Sequence, residues 1–231
     1  RRWKPEDAFF NGNCWVFRRR NNKDVDWEDP WNILVGEGTE DYLLLSPETG
    51  STGTFSWTRN LDEARDNARD HYPNSEGIEV VNNSVLYFVS KAYKRLYILN
   101  LDDGTYQYSS TDTGLFDGQP DQLRNILRKP DGTSDGHMLY FSEDGGERAG
   151  IHARNEAGEY FTLLEALFRP ETTGLSITPD GKRMYFHFQD DGLLYELRRT
   201  DGQSFKATTL NLKVHPTEPS YARTKRRLYR A

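Results

Sequence analysis

The sequence has almost no cysteine, no long apolar run and no excess of basic charge, and each shortage excludes something. A single cysteine, Cys14, in 231 residues leaves no partner for an intrachain disulfide, so burial must hold the fold together. Cys14 has no paired histidine in view and reads as a buried thiol rather than a nucleophile. No run of about 18 apolar residues exists, which excludes a helix that spans a membrane. Lysine and arginine total 30 against 36 aspartates and glutamates, a net charge of -6. That balance argues against nucleic acid as a partner, because phosphate needs a basic face. Arg18-Arg19-Arg20 and Lys225-Arg226-Arg227 are local exceptions and read as solvated surface or as an end that docks on an acidic partner. His71, His137, His152, His187 and His215 show no zinc-type spacing, and no Gly-x-x-x-x-Gly-Lys phosphate loop occurs. His152 and His187 fall in strand-like runs and are expected to be packed core residues.

Aromatic residues and turns are plentiful. Thirteen tyrosines and twelve phenylalanines accompany nineteen glycines, a composition that favours strands joined by tight turns. Pro179-Asp180-Gly181 and Asp103-Gly104 are turns of the hairpin kind. Val85-Leu86-Tyr87-Phe88, Met138-Leu139-Tyr140-Phe141 and Arg183-Met184-Tyr185-Phe186 repeat one strand, with the tyrosines 53 and 45 residues apart. Propeller blades run to roughly 40–50 residues, so the repeat predicts an all-β chain, a β-propeller with about four blades in this chain and the rest of a larger ring elsewhere. Three regular blades are expected over residues 73–205. Residues 1–72 read as an irregular N-terminal blade, with strand-like runs at 14–17, 33–35, 42–45 and 55–57. A short inserted helix is expected at 60–71, where Asn60 and Glu63 could form a capping box and Leu61, Ala64 and Ala68 share a face. Residues 206–231 read as a strand and a tail.

Glu76 and Glu171 both stand at the entrance of the first strand of their repeat, and Gln122 holds the comparable place in the middle one. The first strands of successive blades line a central channel, so these positions converge. Carboxylates brought together repel unless a positive charge lies between them, and hard oxygen donors suit Ca²⁺ or Mg²⁺. Glu143 and Asp144, at the end of a neighbouring strand, are further candidates. Alternatively, a glutamate at such a place pairs with Arg169 or Lys91, or caps a turn.

Four stretches, EGIEVVNNSVLYFVSK, GLFDGQPDQL, LYFSEDGGERAGIHAR and ETTGLSITPDGKRMYF, together resemble the PhoX-like β-propellers over about residues 53–205. Some members of that family are calcium- and iron-dependent alkaline phosphatases. The resemblance implies a metal-bearing channel with Glu76, Glu171 and Glu143 as ligands, calcium as the cation and iron as well if the chain is a phosphatase. It also implies that Arg169 faces a phosphate oxygen, and it favours an extracytoplasmic location. Cys14 lies in an apolar run unlike the setting of the metal-bridging cysteine in those phosphatases. The expected function is therefore a calcium-stabilised propeller module with a binding or structural role, and the alternative is a metal-dependent phosphomonoesterase. The expected partners are the metal ion and another protein chain, one that supplies further blades or a larger assembly.

Overall fold

The computed structural model describes residues 15–19, 38–82, 84–127, 137–145, 148–165 and 171–205. Among them, β1 (Trp15–Arg19), β2 (Gly38–Pro47) and β3 (Thr52–Thr58) precede the helix α1 (Leu61–His71). β4 (Ser75–Asn82), β5 (Val85–Ser90), β6 (Arg95–Asn100) and β7 (Thr105–Ser110) follow as a four-stranded meander. A second meander holds β8 (Gln119–Leu127), β9 (His137–Asp144), β10 (Gly150–Asn155) and β11 (Tyr160–Glu165), and a third holds β12 (Thr172–Ile177), β13 (Arg183–Phe188) and β14 (Leu193–Arg198). All pairings are antiparallel. The first strand of each meander packs beside the first strand of the next, β4 on β8 and β8 on β12. Sheets that fan from adjacent inner strands are propeller blades, and the chain is an all-β propeller.

Alternation along the strands fills the space between blades, because successive side chains of a strand point to opposite faces. Tyr87, Val89 and Leu96 of the first blade meet Leu123, Leu139 and Phe141 of the second, with Phe116 from the connection between them. Tyr140, Ile151 and Ala153 turn to the other side and meet Leu175, Met184, Phe186 and Phe188 of the third blade. Side chains such as Leu96 and Leu123, at 0–1% exposure, contribute about 1.5–3 kcal/mol each through burial.

The N-terminal strands do not form a sheet of their own. Thr52, Gly53 and Thr54 of β3 pair with Gln107, Tyr106 and Thr105 of β7, giving a seven-stranded sheet in the order β1-β2-β3-β7-β6-β5-β4. The sheet curls, so that Leu43 and Leu45 of β2, with Ala68 and Tyr72 at α1, cover Phe88, Tyr97, Leu99 and Tyr106 on the first blade's far face. A preceding blade would pack on that face. Strand-like runs expected near 14–17, 42–45 and 55–57 thus fall on β1, β2 and β3. Residues 33–35, Cys14 and 206–231 lie outside the described residues.

The expected helix is present, with half of its expected cap. The Asn60 side chain accepts from the backbone N–H groups of Asp62 and Glu63. Glu63 does not return the bond. The Thr58 hydroxyl accepts from the Asn60 N–H and donates to Glu63 instead. Ala64 and Ala68 form the buried face. Asn67 exchanges two 2.8 Å hydrogen bonds with the backbone of Leu45, which fixes α1 against β2.

Candidate functional site

Five charged residues reach the same end of the blades. Glu76 and Asp121 lie near the starts of β4 and β8, and Glu171 immediately precedes β12. β5 runs antiparallel to β4 and β9 antiparallel to β8, so Lys91, just past β5, and Asp144, the last residue of β9, arrive at that end too. Glu171 pairs through an isolated β-bridge with Asp144. The Lys91 Nζ is 2.6 Å from Asp144 Oδ2 and 3.9 Å from Glu76 Oε1. Its own backbone N–H donates to Asn74 O at 2.9 Å, which anchors the lysine at the root, and its side chain is 14% exposed.

A local distortion aims the inner strands. β4 carries a register shift between Ser75 and Ile78, β8 between Pro120 and Leu123, and β12 between Thr173 and Ser176. Such a bulge inserts an unpaired residue and re-aims its neighbours. On β8 it brings Asp121, not Gln122, into the charged group. The Gln122 amide instead donates to Thr173 Oγ1 at 3.1 Å, and its backbone N–H donates to Ser142 Oγ at 2.8 Å. Gly77, in the bulge of β4, lies so close to β8 that a Cβ would collide with the Asp121 carbonyl and the Leu123 nitrogen.

Crowded carboxylates raise one another's affinity for protons. Burial, and then the charges of Glu76 and Asp144, push Asp121 up to about 6, against the opposing pull of Lys91. Burial and the charges of Asp144 and Asp121 raise Glu171 as well. For Lys91, burial works against the ammonium form. The hydrogen bond donated to Asp144 and the fields of Asp121, Asp144 and Glu76 outweigh it and hold the pKa above the ordinary lysine value.

Glu143 points the other way, as the strand period requires. It is fully buried. Its Oε1 accepts from Gly118 N at 2.6 Å, and its Oε2 accepts from Gly150 N and His152 Nε2, each at 2.8 Å. Because a carboxylate only accepts, the Nε2 carries the proton, and Nδ1 is hydrogen-bonded with the Thr162 hydroxyl at 2.9 Å. Phe116 stacks on the imidazole at 4.1 Å between ring centroids. Thr172 of β12 accepts from Glu143 N and donates to Gly150 O. The network ties the second blade to the third and to the loop before β8. His152 is therefore the packed, satisfied core residue expected from the sequence, while His187 is only half-buried.

Of the expected site residues, the structure brings Glu76 and Glu171 into one charged group and leaves Glu143 and Gln122 outside it. Arg169 lies outside the described residues. Among the described residues, no group of three or more histidines, cysteines, aspartates or glutamates is arranged to hold a metal ion. The lysine already stands among the oxygens, and the oxygens of Glu143 are taken, so the residues present do not fit the implied calcium site. Asp121 was missed because its neighbour Gln122 aligns better with the two glutamates. The only signal for it was that a strand start can shift by one residue.

No family model matches the chain, and no curated protein matches it. Among solved structures, the chain is similar to virginiamycin B lyase from Staphylococcus aureus, crystallised with selenomethionine, at 15% identity and a TM-score of 0.36. The match covers 71% of this chain and 53% of that one, so it spans about half of the lyase structure. A likeness this distant carries no functional argument, and the propeller assignment stands on the blades themselves.

Proposed function

We propose that this chain is a non-catalytic propeller module that binds a partner, presenting the acidic end of its inner strands to a basic group on that partner. One observation carries the reading: among the described residues, four carboxylates, on Glu76, Asp121, Asp144 and Glu171, gather at one end with one ammonium, that of Lys91. Negative charge is left over at an end that is partly open, with the Glu76 side chain 42% and the Asp144 side chain 27% exposed. A lysine or arginine from a partner would lower the repulsion among these groups, and unlike charges that meet at a rim speed encounter and select partners. The net charge of -6 acts in the same direction at longer range.

The phosphatase reading rests on the resemblance to the PhoX-like family. It needs a metal held by Glu76, Glu171 and Glu143, and both oxygens of Glu143 are engaged within the fold. The test is fluorescence anisotropy of a labelled oligolysine peptide. Binding is expected for the wild type, weakening with salt, and is expected to be much weaker for the double variant Glu76→Gln, Glu171→Gln. Equal binding by the two proteins would overturn the docking role. Hydrolysis of p-nitrophenyl phosphate that needs both calcium and Glu171 would overturn the non-catalytic one.

A further inference from the structure

We propose that Lys91 is the resident cation of the blade ends, a covalently attached ammonium standing where the channel carboxylates would otherwise demand a divalent ion. Three observations support this. First, the position is built rather than incidental. The Lys91 backbone N–H is tied to Asn74 O at 2.9 Å, the Lys94 N–H closes the turn on Lys91 O at 3.1 Å, and only 14% of the Lys91 side chain remains exposed. A surface lysine keeps its freedom, whereas this one has given it up. Second, its partners come from three separate elements. Glu76 belongs to β4, Asp144 to β9 and Asp121 to β8, and the last two also feel Glu171 at the entrance of β12. One ammonium, carried by the first blade, thus pairs with the second and attracts Glu171 at the entrance of the third, the task an axial metal ion would perform. Third, neighbouring polar side chains at this end already have hydrogen-bond partners within the fold. Ser142 Oγ donates to Asp121 at 3.4 Å while accepting from Gln122 N, and Gln122 donates to Thr173.

Chemistry follows from the exchange of one charge for two. An ammonium directs three N–H donors at carboxylates and needs no open coordination sphere. It cannot be removed by a chelator. Among the described residues, a neutral side chain at position 91 leaves four carboxylates with no cation between them, the donor type and charge density that hard divalent ions take. The proposal concerns the unliganded module and does not depend on the partner.

The experiment measures thermal melting of the wild type, Lys91→Arg and Lys91→Met with EDTA and with millimolar calcium. The wild type and Lys91→Arg are expected to melt at the same temperature in both. Lys91→Met is expected to melt lower in EDTA and to recover by about 5–10 °C in calcium, the shift that saturating a newly made site gives a protein of this size. Lys91→Gln is the second variant, in case the methionine chain does not fold in EDTA, and folding restored by calcium counts as the same recovery. Calcium stabilisation of the wild type would overturn the proposal, since a metal would then be the resident cation. A folded Lys91→Met or Lys91→Gln chain indifferent to calcium would overturn it too. So would failure of both variants to fold with calcium as well as without it.

Discussion

Glu143 accepts three hydrogen bonds in a place water does not reach. Removing it strands two backbone N–H groups and an imidazole N–H, each of which then carries its full desolvation penalty. Glu143→Ala is expected to lose about 3–5 kcal/mol, the range for breaking a buried pair from one side, measured by urea unfolding. Asp121 behaves differently, because its pKa lies above that of the unfolded chain. The unfolded carboxyl releases its proton near 3.8 and the folded one near about 6. Between those values the folded protein binds more protons, so this group's contribution to stability is complete below 3.8 and fades as pH rises through about 6. Burial and the charges of Asp144 and Asp121 raise Glu171, which adds to that slope. Melting curves across this window are expected to show a flatter pH dependence for Asp121→Asn than for the wild type.

At the scale of elements, the repeat of Tyr87, Tyr140 and Tyr185 was legible because each sits on the second strand of a blade, Tyr87 and Tyr140 in the core and Tyr185 half-buried with its hydroxyl on Glu196. The helix was legible from Asn60 and the small residues Ala64 and Ala68. Bulges left no comparable trace. They depend on which backbone groups pair across two strands, and a shift of one residue moves a side chain to the opposite face. The sequence pattern aligns Glu76 and Glu171 with Gln122, whereas the bulge of β8 puts Asp121 among the charges in place of Gln122. Asp144 shows in the sequence as a further candidate and Lys91 as a pairing partner in the alternative, and each reaches the charged end on a strand running the other way. The bulge of β4 also sets a steric requirement. A methyl at Gly77 would drive into the β8 backbone, and backbone cannot swing aside as a side chain can. Gly77→Ala is expected to cost on the order of 1–3 kcal/mol. Because the collision separates β4 from β8 at the charged end, the loss should appear as earlier melting together with faster amide exchange at the start of β8.

At the scale of the molecule, the described residues form three blades packed along their inner strands, with one outer face covered by β2, β3 and α1. The seven-stranded sheet of the first blade has a topology with a temporal side. Thr54 and Thr105 are neighbours across the β3–β7 seam, yet a helix and three strands separate them along the chain. Contacts that close so long a loop form late, because the entropy of closure is lost before any pairing repays it. During synthesis β2 and β3 can meet as a hairpin as soon as both have emerged, but the free side of β3 must stay open until β7 arrives. The segment translated earlier therefore has to wait for the later one, and through that interval an unpaired strand edge is exposed to any neighbouring chain able to pair with it.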